Sequence, residues 1–598
     1  MSPRVSCSSI AILALVLQIL ILADARPRAS LDHDHPSCLC TALQSCWPDP
    51  SAWDTFNSSI DGRLIEVLPP AAPCHESHFD EQACQIVREK WSSPFWRSDQ
   101  PGAMQASNWE ASGDQSCLIS SPRNSSCSQG SVPVYAVNVS TPSHVQSAVK
   151  FASAKNIRLV IKNTGHDFFG KSTAAGSLSI WTHHMKNMSF HHDFVAKRCS
   201  VSPVSAVTVG AGVQWEELYQ AVFKQGKVIV GAGGVTVGAA GGYPQAAGHS
   251  PISPAFGLAA DNVLEYEVVT AAGDLVVANG CQNKELFWAL RGGGGGTFGV
   301  VVSATHRTHP PLTNLAFAVY TINATDRSSF LDLLTNFAVI HPSLSEAGWS
   351  GYFLLSSQSL QLSRQTLLVL YILPNKDVSF AKSTLAPFLD YVEKHPKLQG
   401  NGSVVSLSSF QEYYSQFLCG GQNSCVNSNG SASPGALSSR LIPKSLFDSR
   451  KSVEQLSDAL ISILERYPAS ILGAFVAGGA VARPRDENAV NPAWRRALLL
   501  AIISSGWSDG ASLEEQREVA RNVSAANKLL IDLTPGSGTY INEADFNEPD
   551  WQQSFFGEHY PRLQAIKSKV DPSGLFRCHH CVGSEKWSDD LNCPRSSE

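Results

Sequence analysis

An imidazole set in a turn of small residues is the feature of this 598-residue chain best equipped for chemistry. The segment runs Lys162-Asn163-Thr164-Gly165-His166-Asp167-Phe168-Phe169-Gly170-Lys171-Ser172, directly after the apolar stretch Ile157 to Ile161. Small residues let successive backbone N–H groups point at one spot, a nest suited to a pyrophosphate. A histidine is an odd companion for phosphate alone. A neutral imidazole nitrogen is a competent nucleophile towards an electrophilic carbon of a bound cofactor, although a loop histidine also serves simply to cap a turn.

Two further segments share that economy of side chains. Gly231 to Tyr243 is almost all glycine, alanine, valine and threonine, and it is followed by Gly248-His249-Ser250. So few side chains over so many residues lets backbone lie against a flat or bulky ligand. A flexible linker fits poorly, because Val235, Val237 and Tyr243 interrupt the run. Asp261-Asn262 then leads into the strand-like Val263 to Thr270, which contains Val268. The third segment, Trp288 to Gly299, formally contains G-x-G-x-x-G at Gly294, Gly296 and Gly299. That motif must follow a strand and open a helix. Here Lys284 to Leu290 reads as a helix and Gly299 opens a strand, so a Rossmann nicotinamide site is rejected. Cys578-His579-His580-Cys581, and His183-His184 with His191-His192, have ligand-like spacing. A structural zinc needs four ligands, and thiolates in an oxidising compartment usually end as disulfides. The reading is no metal, with the late cysteines bridging to the N-terminal region.

The elements that must hold these segments alternate. Pro133 to Val139 is a short strand; Thr141 is placed as an N-cap with Pro142 at the first helical position. Val145, Ala148, Val149 and Ala152 repeat at helical spacing, and Ile157 to Ile161 is the next strand. Strands follow at Ala206 to Val209, Leu275 to Ala278 and Val300 to Thr308. After Pro310-Pro311, alternating runs (Trp349 to Ser356, Gln365 to Ile372) mix with helical stretches (Ser379 to Glu393, Val453 to Arg466, Leu513 to Leu533). The reading is α+β: a cysteine-rich extension over 26–128, a ligand-binding domain over 129–312, a second α+β domain with an antiparallel sheet flanked by helices over 314–535, and a segment over 538–598 that packs back on the first domain.

Composition sets the compartment. Hydrophobic residues at 43% exclude a disordered chain, and 16% charged is too low for a coiled coil. The balance of 45 basic against 51 acidic residues shows no basic block, so nothing points to nucleic acid or an anionic membrane. Arg4, the apolar run Ile10 to Leu22 and Ala23-Asp24-Ala25 read as a signal peptide over 1–25. The run is short of the roughly 20 residues a membrane span needs. Cys7 leaves with it, and fourteen of the 15 cysteines remain to pair, with spacing that favours Cys74–Cys84, Cys117–Cys127 and Cys419–Cys425. Sequons at Asn57, Asn124, Asn138, Asn187, Asn323, Asn401, Asn429 and Asn522 are N-glycan acceptors in an exported chain.

The loop Asn163 to Asp167 after a strand, the stretch Thr236 to Tyr243 and the run Ala289 to Gly299 together resemble the FAD-binding PCMH-type flavoproteins. Within these, the berberine-bridge-enzyme-like branch of the vanillyl-alcohol-oxidase superfamily fits best; Tyr540 to Asp545 and Asp571-Pro572 with Gly574-Leu575-Phe576 match that branch too. The resemblance covers residues 130 to 312 and 538 to 587. It implies FAD joined to His166 by an 8α-histidyl bond, with Asn163, Thr164, Gly165, Asp167, Gly170 and Ser172 around the pyrophosphate. It further implies that Gly234, Thr236, Gly238, Gly241, Gly242, Gly248, His249, Asp261, Asn262 and Val268 line the cofactor, and that Asn542 reaches the isoalloxazine. Many members carry a second, cysteinyl link at the position of Gly234, so a single link is expected here. Several have a catalytic tyrosine where this chain has Glu543. The base is then Glu543, Tyr540 or a residue of the second domain; a carboxylate serves if desolvation raises its pKa.

The activity implied is a secreted oxidase that passes a hydride from a small organic substrate, an alcohol or secondary-metabolite intermediate, to FAD, with O2 as acceptor giving H2O2. An oxidative cyclase is the alternative within enzymes. A secreted binding glycoprotein without redox activity, and a copper or zinc enzyme, are the alternatives outside that class.

Overall fold

Among the described residues, sixteen strands form three sheets. The computed structural model describes residues 38–595 except 43, 111–116, 356–364, 422–424 and 426–432. The expected signal peptide and the Asn429 sequon lie outside the described residues. The first sheet has the order β1-β2-β4-β3, from β1 (Leu64–Glu66), β2 (Tyr135–Asn138), β3 (Leu159–Lys162) and β4 (Leu178–Trp181). β4 runs parallel to β2 and β3, while β1, from the cysteine-rich extension, pairs antiparallel with β2. The second, β5-β6-β9-β7-β8, is antiparallel and uses β5 (Met188–Phe194), β6 (Val204–Gly210), β7 (Val263–Val269), β8 (Leu275–Asn279) and β9 (Val300–Arg307). These elements belong to one compact unit, Leu39–Glu598.

The third sheet is antiparallel with seven strands in the order β13-β10-β12-β11-β15-β16-β14. They are β10 (Leu315–Ala324), β11 (Ser350–Leu355), β12 (Thr366–Pro374), β13 (Leu398–Leu407), β14 (Gly435–Pro443), β15 (Ser470–Phe475) and β16 (Ala497–Gly506). Helices Arg327–Val339, Val378–Lys394, Arg450–Arg466 and Leu513–Leu533 bury Phe330, Leu385, Leu460 and Leu530 in the same apolar cluster as Val369 and Phe475 of the sheet. Period-2 alternation leaves the opposite face of those strands for the cavity described below.

Helix Pro142–Ala154 buries Val145, Ala148, Val149 and Ala152, the face expected from spacing. Thr141 sits at its N-cap without capping it: its hydroxyl lies 2.9 Å from the Ser143 hydroxyl instead. Helix Lys284–Leu290 does precede β9, the order that excluded a Rossmann unit. The motif Asp571 to Phe576 is a buried turn. The Asp571 carboxylate accepts the N–H groups of Leu575 and Phe576 at 2.8 and 2.9 Å. Lys567 Nζ donates to it and to the Thr297 carbonyl at 2.6 Å each, which ties the C-terminal helix to the glycine run.

All fourteen cysteines among the described residues are disulfide-bonded. The bridges Cys74–Cys84, Cys117–Cys127 and Cys419–Cys425 match the spacing argument, and Cys40–Cys46 and Cys199–Cys281 add to them. Cys578 pairs with Cys581, not with the N-terminal extension, because one turn already brings the two side chains together. Their sulfurs are thereby spent. His579 and His580 stack on Phe546 and Trp551. His183 lies 2.8 Å from Asp99, and His184 2.7 Å from the Asn138 amide. None of the seven described sequon asparagines is buried, and among the described residues no helix is long and apolar enough to cross a membrane.

Candidate active site

A cavity of about 610 Å³ lies where the three backbone-rich segments meet the third sheet. Its lining includes Asn163, Thr164, Gly165, His166, Asp167 and Ser172 from the first segment. Gly234, Gly238, Gly241, Gly242 and His249 come from the second, and Tyr540, Asn542 and Glu543 from the C-terminal motif. Residues some 380 positions apart converge on it.

The His166 loop is fixed by its own carboxylate. Asp167 accepts the N–H groups of Phe169 and Ser172 at 3.0 and 2.7 Å. Those two amides are therefore used internally, and the nest is smaller than the sequence suggested. Gly165 adopts φ 84°, and a β-carbon there would come within 3.0 Å of the Ala103 carbonyl. The imidazole that follows has Nε2 2.6 Å from the Thr236 hydroxyl. Desolvation lowers its pKa to about 4, so the ring is neutral and nucleophilic at ordinary pH. Lys171 also lines the cavity; burial lowers its pKa to about 8, opposed by the charge of Asp167.

The glycine stretch allows close approach. A β-carbon at Gly238 would sit 2.6 Å from the Asn163 amide nitrogen. β-carbons at Gly233, Gly242 and Gly296, all on the lining, would meet nothing nearer than 4.0 Å, so what they would intrude on is the cavity itself. The Asn163 Oδ1 is buried without a partner. A broad wall of backbone with an orphaned amide oxygen beside it suits a flat, polar-edged cofactor such as FAD.

Several expected cofactor residues stand elsewhere. Asp261 accepts a bidentate pair from Arg495 at 2.7 and 2.8 Å, along with the Asn488 amide and the Leu258 N–H. It joins the second and third sheets' regions and does not line the cavity. Asn262 donates to the Phe256 and Leu258 carbonyls and faces His309. Val268 is buried in β7, against the space a Gly299 side chain would need. Gly170 packs under Trp109, and Gly248 under Tyr243 and Ala259. Thr236 acts from behind, through His166. Removing Asp261 would strand the Arg495 guanidinium, so Asp261→Ala should cost about 3–5 kcal/mol of stability, read as a lowered thermal midpoint.

The third sheet supplies a floor to the cavity that sequence reasoning did not name. Tyr352 and Leu354 of β11, Leu370 of β12, Leu472 of β15 and Ile502 of β16 line the cavity. They are cross-strand neighbours: Tyr352 faces Leu370, Leu354 faces Leu472, and Leu472 faces Ile502. The alternation in Trp349 to Ser356 and Gln365 to Ile372 was the available signal, but alternation alone does not say which face meets a ligand. The glycine run rejected as a dinucleotide motif also reappears here, with Gly295, Gly296 and Gly299 on the wall.

Polar groups gather at one end. Glu543 places both carboxylate oxygens 3.2 Å from His249 Nε2. Asn542 donates to the Gly242 carbonyl at 3.1 Å and to the Tyr540 hydroxyl at 2.8 Å. Burial, with the Glu543 charge nearby, pushes the Tyr540 phenol well above its usual pKa. Tyr352 is raised likewise by burial. Both therefore stay protonated, and each keeps a hydroxyl hydrogen to donate.

Comparison with known proteins settles the family. Residues 133–279 match the FAD binding domain, and residues 539–583 match the berberine and berberine-like segment. An uncharacterised FAD-linked oxidoreductase of Arthroderma benhamiae is 39% identical over 595 residues, covering 98% of this chain and 99% of the relative. The chain is an FAD-linked oxidoreductase of the vanillyl-alcohol-oxidase and berberine-bridge type. The oxidoreductase is also 34% identical over 584 residues to the VAO-type flavoprotein oxidase VAO615 of Thermothelomyces thermophilus, covering 96% of this chain and 98% of that protein. The crystal structure of MtVAO615 from Myceliophthora thermophila superposes with a TM-score of 0.84 at 32% identity, over 92% of this chain and 98% of that one.

Proposed function

We propose that this oxidoreductase is an exported oxidase that takes a hydride equivalent from a small, largely apolar organic substrate, an alcohol or a secondary-metabolite intermediate, and uses dioxygen as acceptor. The observation that carries the reading is the Glu543–His249 pair at 3.2 Å, on the lining of the same cavity as Leu354, Leu472, Ile502 and the glycine segments. When bound, FAD supplies the two-electron acceptor, and its redox chemistry belongs to the cofactor.

The chain's own residues do the rest. His166, neutral and held by Thr236, is the attachment point, and Gly234 leaves no second link. Leu354, Leu472 and Ile502 exclude water and favour apolar substrate over sugar. Glu543 takes the proton of the substrate hydroxyl, and His249 holds the carboxylate in place. The phenols of Tyr540 and Tyr352 donate hydrogen bonds to the oxygen that loses it. Paired cysteines and surface sequons support export. The test is oxygen uptake with stoichiometric peroxide release on a panel of benzylic and long-chain alcohols; bleaching of the flavin without peroxide would discard dioxygen as acceptor.

Lys171 gives this reading a pH signature. Its ammonium is present below its pKa of about 8 and is lost above it. In His166→Ala protein, where binding of FAD is reversible, affinity should hold from pH 6 to 7 and weaken as pH rises through about 8 and beyond. Lys171→Met should be weak and flat across the same range. Equilibrium dialysis at each pH measures both.

A further inference from the structure

The cysteine-rich extension reaches the attachment histidine through a closed network of buried hydrogen bonds. Gln105 donates its backbone N–H to the Gly165 carbonyl at 3.0 Å, and its amide nitrogen lies 3.1 Å from the Thr164 carbonyl. The same nitrogen is 3.1 Å from the Ser98 hydroxyl. Ser98 in turn accepts from Gln214 at 3.0 Å, and Gln214 donates to the Thr236 carbonyl at 3.2 Å. Thr236 closes the ring on His166. Ser98, Gln105, Gln214, Thr164 and Thr236 are all buried. The Ser98 oxygen accepts from the Gln214 amide, and the two hydrogens of the Gln105 amide are shared among Ser98, the Thr164 carbonyl and the Pro94 carbonyl at 2.9 Å. Arg97 and Glu110 lock the segment behind it: Arg97 Nε donates to the Met104 carbonyl at 2.6 Å, and Glu110 accepts from Met104 and pairs with Arg97.

We propose that Ser98, Gln105 and Gln214 are positioning residues for covalent attachment of the flavin, so that the extension is part of the machinery that joins the cofactor to His166. The inference rests on the reading of His166 as the attachment point. Attachment forms a bond between an imidazole nitrogen and the flavin 8α-methyl carbon. The imidazole N–H proton and one methyl proton leave their sites, the electron pair remains on the isoalloxazine as its two-electron reduced form, and dioxygen takes that pair as hydrogen peroxide. The protein supplies only the approach of nitrogen to carbon, and the network fixes the Thr164 and Gly165 carbonyls just before His166 and the backbone carbonyl of its partner Thr236. An error of about 1 Å in such an approach can slow a reaction by roughly a hundredfold.

The experiment compares full-length wild type, Ser98→Ala, Gln105→Ala and Gln214→Met, each made flavin-free and mixed with FAD. Acid-stable flavin is followed against total bound flavin. The expected result is a covalent attachment rate at least ~10-fold below wild type, with total binding per folded protein kept, as in His166→Ala. A merely structural role would lower yield and thermal midpoint but leave the covalent share of bound flavin at the wild-type value, and that outcome overturns the proposal. Gln214→Met keeps the approximate length of the side chain and removes the two N–H donors without adding a charge, so it reads the network even where an alanine variant folds poorly. Wild-type protein that binds FAD but never holds it in acid would instead overturn the His166 reading, and this proposal with it.

Discussion

Acid-precipitated wild-type protein should keep its yellow colour in the pellet, and His166→Ala should release all of it to the supernatant. Among the described residues that line the cavity, the other imidazole, His249, is engaged by Glu543. Gly234 stands where a cysteinyl link would be, and the fourteen described cysteines are bonded to one another. Lys171 is in the cavity, but it is protonated at neutral pH, and an ammonium has no lone pair to give. His166, by contrast, has been driven to the neutral form by burial, with a pKa of about 4, and the Thr236 hydroxyl fixes which ring nitrogen is engaged. The variant should fold, since the loop is held by Asp167 and Gly165 independently of the imidazole. It should bind FAD reversibly, so its thermal midpoint becomes dependent on added FAD, as expected for a ligand that binds only the folded state. Wild-type protein, already loaded, should show no such dependence. A His166→Ala pellet that stayed yellow would place the bond elsewhere.

How much of this could be read from residues alone follows from what kind of pattern each part leaves. The glycine segments announced a large ligand because absence of side chains is visible in a string of letters. The helix at 142–154 announced its buried face because 3.6-residue spacing is local. Asp261 was placed along the cofactor because an acidic residue before a strand looks the same whether it lines a ligand or, as here, holds an Arg495 that lies more than two hundred residues onward. The floor of Tyr352, Leu354, Leu370, Leu472 and Ile502 left no mark of its own. Each residue sits in an ordinary alternating strand, and only the registry of four strands brings them together. The extension at 26–128 could be read only as cysteine-rich, because cysteine, proline and serine give no periodicity. Its buried serine and glutamine become legible only once the loop they hold is folded beside them.

Glu543→Gln should lower kcat by about 10²–10⁴-fold while changing substrate affinity little, because the amide keeps the shape and loses the proton acceptor. The alternatives at that end of the cavity are phenols, and burial has moved both the wrong way for a base. Tyr540 and Tyr352 are pushed above the ordinary phenol range, so neither is deprotonated in the working range of pH. Their loss removes a hydrogen-bond donor, so Tyr540→Phe should cost a smaller factor, about tenfold, for one bond of roughly 1.5 kcal/mol. His249→Ala should fall between the two, since the carboxylate remains but loses the group 3.2 Å away that aims it. Stopped-flow measurement of flavin bleaching under anaerobic conditions isolates this step from reoxidation. If bleaching in Glu543→Gln ran at the wild-type rate while Tyr352→Phe abolished it, the proton would be leaving through the sheet side of the cavity, and Glu543 would be only the partner of His249.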